Sequence, residues 1–197
     1  MKTAKKLLCL VIVLVMALGM VQLASAKPAD KNVDDYTDFD AIEYKEAVDV
    51  LTALGVLSGY TDGSFGPTAD ITRAEAAKII CYVLLGTTSA DALAKVATGF
   101  RDVPASHWAS PFVAYCAQKG IVSGYGNGLF GPEDKVTALQ MAKMLLGAVG
   151  YGVNGEYEGS GWELRVIERA TARNIEILSR TGDLNYTVPA TREQVAQ

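Results

Sequence analysis

Three short segments place a helix cap beside a charge. Residues 72–75 read Thr-Arg-Ala-Glu, residues 137–140 read Thr-Ala-Leu-Gln, and residues 191–194 read Thr-Arg-Glu-Gln. A threonine followed three positions later by Glu or Gln is a capping box, in which the two side chains satisfy each other's backbone amides at a helix start. That accounts for Thr72, Thr137 and Thr191 and for Glu75, Gln140 and Gln194. It does not account for Arg73 and Arg192. A cation in the first helical turn opposes the helix dipole. It becomes useful when an anion docks at that helix start, held by the dipole and by a bidentate guanidinium. The other reading is a salt bridge to a neighbouring carboxylate such as Asp38. The middle segment has Ala138 at this place, which weakens any site there.

Two glycine loops are the second motif. Residues 58–67 read S-G-Y-T-D-G-S-F-G-P and residues 123–132 read S-G-Y-G-N-G-L-F-G-P, with seven of ten positions identical at an offset of 65. Gly126 to Gly131 spells G-x-G-x-x-G, but a dinucleotide site needs a strand before it and a helix directly after. Here an apolar helical pattern precedes and Pro132 follows. Tyr60, Phe65, Tyr125 and Phe130 are expected to plug the helix pair. Asp62, Glu133 and Asp134 are too few and wrongly spaced for a calcium loop. Trp108 and Trp162 begin equivalent helical patterns and either pack or stack against a sugar ring. His107 is the only histidine, and no G-x-S-x-G, H-E-x-x-H or paired C-x-x-C occurs. The residues therefore point to a binding scaffold, not an enzyme, with no cofactor and no metal.

Periodicity supplies the elements that carry these motifs. Apolar Tyr44, Ala47, Val48, Leu51 and Leu54 keep helical spacing up to Gly55. Thr72 caps a second helix, with Ala76, Ile79, Ile80, Val83 and Leu84 as its buried stripe, ending at Gly86. The plan then repeats, after a helical turn expected near Ala92–Val96. Phe112, Val113, Cys116 and Ala117 mark the next helix, with Pro111 in its first turn. Thr137 caps another, with Met141, Met144, Leu145 and Val149 apolar. A third, degraded copy begins at Trp162 and has Val166, Ile167 and Ala170 as its apolar residues. Its middle loop, 181–186, keeps one glycine. The chain stops soon after Thr191, and we expect either the N-terminal piece of a longer protein or a truncated gene product.

The division expected is a leader 1–26, a polar segment 27–35, a first module 36–86, a linker 87–98, a second module 99–150, a Gly-rich linker 151–160 and an incomplete third module 161–197. The leader follows from Lys2, Lys5 and Lys6, an apolar run Leu7–Met20 and the A-x-A signal Ala24-Ser25-Ala26. Removing it takes three lysines and no acids, so the net charge moves from −4 to −7. That balance argues against nucleic acid and anionic membrane surfaces, and no later apolar run is long enough to span a bilayer. Cys81 and Cys116 then remain. They read as two buried thiols, with a disulfide between them as the alternative.

Phe100–Ala109 (F-x-D-V-P-x-x-H-W-A), Gly120–Tyr125 (G-I-V-S-G-Y), the G-x-F-x-P of the loops and Ile71–Ala77 (I-T-R-A-E-A-A) resemble the S-layer homology (SLH) domain family. The resemblance covers 36–86 and 100–150 well and 160–197 weakly. It implies a mainly α fold, with tandem helix–loop–helix modules around a shared bundle as a pseudo-three-fold spindle. It implies a secreted protein at the cell wall, held non-covalently by an anionic secondary cell-wall polymer, often pyruvylated, or by peptidoglycan. It makes Arg73 a ligand residue directly and Arg192 with caution, and it adds Asp38, Asp102 and Trp108. Alternatives are the targeting part of an extracellular glycan hydrolase or protease continuing past residue 197, or an S-layer subunit that binds protein partners or itself.

Overall fold

A computed structural model describes residues 32–152, 154–179 and 185–197. The leader, the start of the polar segment and most of the third loop lie outside these residues. The described chain is mainly α and has no strand, only three isolated bridges. Two 3-10 turns, Val33–Asp35 and Phe39–Ala41, precede helix α1, Lys45–Ala53. Then follow α2 (Arg73–Leu85), α3 (Thr87–Asp91), α4 (Ser110–Gln118), α5 (Ala138–Ala148), α6 (Trp162–Ala170) and α7 (Arg192–Ala196).

The expected starts hold because they are chemically specified. Thr72, Thr137 and Thr191 all sit at extended φ/ψ and form complete capping boxes with Glu75, Gln140 and Gln194. Pro111 lies in the first turn of α4, where its missing N–H costs nothing. Gly55 and Gly120 both take positive φ after their helices, a conformation that strains any side chain.

The helical turn expected at Ala92–Val96 lies earlier, as α3 directly after Gly86. Val83 (54% exposed) and Val149 (65%) are not in the core. Val83 stands in the last turn of α2, and Val149 is the C-cap of α5. In α2 the buried surface turns instead onto Ala77 and Cys81, which face α4.

α2 and α4 are antiparallel partners: Tyr82 meets Phe112 edge-on, and the Cys116 thiol reaches Ala77. One buried cluster runs from Val33 through α2 and α4 to Met144. A second gathers Leu139, Ala142, Leu146, Tyr157, Val166, Ala170 and Leu178. α5 contributes to both and so joins them.

The residues just before α2, α5 and α7 meet. The Ile71 amide donates to Ala190 O (3.0 Å), the Ala190 amide to Val136 O (2.9 Å), and the Val136 amide to Ile71 O (2.9 Å). All three residues are buried. Their polar backbone is therefore satisfied by one another, in a closed three-membered ring of hydrogen bonds.

Candidate ligand site

Each capped helix start faces the loop of another copy. The Arg73 amide donates to Asp134 O and that of Ala74 to Pro132 O. The Arg192 amide donates to Ala69 O and that of Glu193 to Pro67 O, whereas α5 uses Ala138 and Leu139 on Val188 O and Tyr186 O. The first copy thus docks on the second, the second on residues 186–188, and the last helix on the first.

The arginines seal two of these junctions. Arg73 is 8% exposed. Its Nε donates to Phe130 O and its Nη2 to Ser123 O, both at 2.9 Å. Its guanidinium lies 4.9 Å from the Tyr125 ring centre and 4.6 Å from that of Phe130. Arg192 does the same one copy on, with Nε to Phe65 O (2.9 Å), Nη2 to Ser58 O (2.7 Å), and the rings of Tyr60 and Phe65 both at 4.9 Å. Two of the guanidinium's three nitrogens are thus used on the loop. Phe65 and Phe130 are fully buried plugs, but Tyr60 and Tyr125 are half exposed and roof the cations instead of filling the core. A guanidinium face attracts an aromatic quadrupole, and that interaction places the tyrosines outside.

Among the described residues neither arginine forms an ion pair; the one such contact joins His107 to Glu133 at 4.0 Å. Burial lowers the Arg73 pKa, and Tyr125, Asp134 and Asp102 oppose the shift. The group still stays charged, because guanidinium does not deprotonate in proteins. Tyr125 donates to Asp134 Oδ2 at 2.9 Å. Burial and that bond raise its own pKa, so its ring carries no charge beside the cation.

Asp38 does not pair with Arg73. Its two oxygens accept from the amides of Phe65 (2.7 Å) and Gly66 (2.8 Å). Asp102 repeats this on Phe130 (2.9 Å) and Gly131 (2.7 Å). Burial raises the Asp102 carboxyl, but those two amides, its own amide and His107 together hold it below the ordinary range. Both aspartates therefore tie an entry turn to the far end of a glycine loop, where Phe65 O and Phe130 O each accept from an arginine Nε.

Trp108 is 45% exposed, and the His107 ring stacks beside it at 5.8 Å. Lys143 was not singled out from the sequence. Its Nζ lies 5.1 Å over the Trp162 ring. Burial lowers its pKa first, Glu158 and Glu163 raise it, and the charge of Arg73 lowers it further. Only the fold brings α5 and the start of α6 close to the α2 cap. Glu193 was also missed: it is buried, and its Oε2 accepts from the Glu43 (2.8 Å) and Tyr44 (3.4 Å) amides at the start of α1.

An S-layer homology domain model matches residues 35–77 and 99–142, the two stretches that carry the entry aspartates, the loops and the first two capped helix starts. The chain belongs to the S-layer homology domain family. It is 32% identical over 143 residues to a surface layer protein of Brevibacillus choshinensis, covering 70% of this chain and 13% of that one. It is 37% identical over 86 residues to a cellulosome-anchoring protein of Acetivibrio thermocellus (44% and 19%). It is 35% identical over 103 residues to an uncharacterized cell wall amidase of Bacillus anthracis (52% and 18%). The SLH chain thus spans less than a fifth of the length of each of these relatives. It is a secreted, cell-surface protein, and no helix among its described residues is long and apolar enough to cross a membrane.

Proposed function

We propose that this SLH chain anchors an exported protein to the bacterial cell wall non-covalently, by binding an anionic secondary wall polysaccharide in the grooves between its modules. Pyruvylated sugars suit the chemistry, since they add a carboxylate to a stackable ring. The module boundaries are those given by the sequence, and the modules form a pseudo-three-fold spindle. The ring of Ile71, Val136 and Ala190 supports that symmetry.

The observation that carries the reading is an arginine without an ion partner at a capped helix start. The charge of Arg73 lowers the pKa of a second cation, Lys143, and Trp162 lies under that lysine. A carboxylate entering there gains two cations, while the first amides of α2 stay on Asp134 O, Pro132 O and the Thr72 cap. Arg73 and Lys143 take the charge and Trp162 the ring face, with exposed Trp108 beside a second entry. Arg192 repeats the arrangement in the groove it shares with the first loop, and Asp38 and Asp102 hold the loops that present the guanidinia. No catalytic step is assigned to these residues. A mature chain of net negative charge repels an acidic polymer at long range, so local cationic sites must supply the attraction.

Sedimentation with purified wall, before and after extraction of the secondary polymer, tests this. Retention should fall on extraction, and the Kd should rise about tenfold for Lys143→Gln and for Trp108→Ala. Undiminished retention on extracted wall would move the ligand to peptidoglycan. Undiminished retention of both variants would remove the groove. The similarity to an amidase favours a second reading, in which the same anchor targets an enzyme domain of a longer chain.

A further inference from the structure

Cys81 on α2 and Cys116 on α4 lie with their sulfurs 3.7 Å apart. They stand 35 positions apart in sequence, Cys116 within the second SLH match and Cys81 on the same helix as the end of the first. Both are fully buried. Each thiol also leans on the opposite helix: Cys81 Sγ lies 3.6 Å from Phe112 O, and Cys116 Sγ lies 3.6 Å from Ala77 O. The two side chains are thus aimed at each other across one helix–helix contact and held there by the fold. Neither thiol touches the grooves, so anchoring makes no use of them.

We propose that this pair is a modification site: a disulfide that staples the first module to the second in the exported protein. The sulfurs need to close from van der Waals contact to the bond length of about 2.0 Å, a movement within reach of a side-chain rotation and a slight helix shift. Exported proteins meet oxidising conditions. The oxidant is a disulfide, either small (RSSR) or on a thiol oxidoreductase. The Cys81 thiolate attacks one sulfur of RSSR, forms a mixed disulfide and expels RS⁻. The Cys116 thiolate then attacks the Cys81 sulfur and expels the second RS⁻. Two thiols and RSSR become one disulfide and two RSH, with the two thiol protons carried off on the leaving groups.

The step belongs to folding. Once α2 and α4 have docked, both sulfurs are sealed from water, and the neighbouring thiol and burial raise the Cys116 pKa and disfavour the attacking thiolate. After closure the same burial shields the bond from reductants.

The test refolds the reduced, denatured chain carrying Cys9→Ser in a glutathione redox mixture, quenches it with N-ethylmaleimide, and maps the thiols by mass spectrometry. The expected product has the peptides of Cys81 and Cys116 cross-linked, weighs about 2 Da less than the reduced chain, and melts at least about 5 °C higher. Cys116→Ser should instead leave Cys81 alkylated or glutathionylated, with no rise in Tm on oxidation. Recovery of both cysteines as maleimide or glutathione adducts from the refolded, unsubstituted pair would overturn the proposal. Wall retention is read separately and is unaffected by either result.

Discussion

At the residue scale, Arg73 is first a clamp. Its Nε and Nη2 satisfy two carbonyls, Phe130 O and Ser123 O, at a junction between modules. Arg73→Ala leaves both without their charged donor, and we expect a loss of about 2–4 kcal/mol in urea unfolding. Arg73→Lys keeps the charge but cannot reach both carbonyls at once, so it should recover only part of that stability. A lysine variant as stable as the parent would show that the fork geometry is irrelevant. Asp102 is the complementary case. Its carboxyl is held below the ordinary range by the Phe130 and Gly131 amides, its own amide and His107. A depressed carboxyl adds stability above its unfolded pKa of about 3.9, and that stability is lost as pH falls through the lower folded value. Asp102→Asn should therefore cost about 1 kcal/mol at neutral pH and flatten the fall in stability below pH 4 in an acid titration. The sequence made both residues visible, but as ligand groups. Their structural partners are backbone atoms 28 to 57 positions away, and periodicity carries no information about those.

The elements were more legible. All three capped starts, the Pro111 first turn and the glycine stops are local chemistry, written within four or five residues, and they stand where expected. Thr137→Ala should cost about 1 kcal/mol and shorten α5 protection in hydrogen exchange, since Gln140 loses its hydroxyl partner. What the pattern missed was tertiary. Val83 and Val149 look like core residues by spacing, yet both are exposed, and at the end of α2 it is Tyr82 that meets α3 and α4. Tyr60 and Tyr125 look like plugs, yet a cation holds each at the surface. Gly59 and Gly124 are the second residues of the two glycine loops. They are also contact residues: a Cβ at Gly124 would fall 2.5 Å from Leu129 O and 2.6 Å from the Phe100 ring. Gly124→Ala should then destabilise by more than 1 kcal/mol, measurable by thermal melting, although Gly124 needs no unusual φ. A melting temperature equal to the parent's would mean that both the Leu129 backbone and the Phe100 ring can move aside.

At the scale of the molecule, the ring of Ile71, Val136 and Ala190 couples segments more than a hundred residues apart. Ala190→Pro removes one N–H from that ring. We expect about 1–3 kcal/mol of destabilisation, expressed as a single transition at lower temperature, because the loss falls on a shared centre. Val188→Ala, at an exposed position next to it, should change Tm by far less. Two separate transitions for Ala190→Pro would mean that the copies unfold independently. The repeat of loops and caps announced that the copies are equivalent, but not that each docks on another.

Head-to-tail docking that returns to its starting point also limits how such assemblies evolve. An open solenoid can lengthen by one repeat, because its terminal face is free to receive the next. Here the last helix already occupies the first loop through Arg192, and Glu193 occupies the start of α1. A fourth copy would find no vacant face. A lineage in need of a firmer grip must duplicate the whole assembly or strengthen its grooves, and a deletion of one copy would expose two interfaces at once.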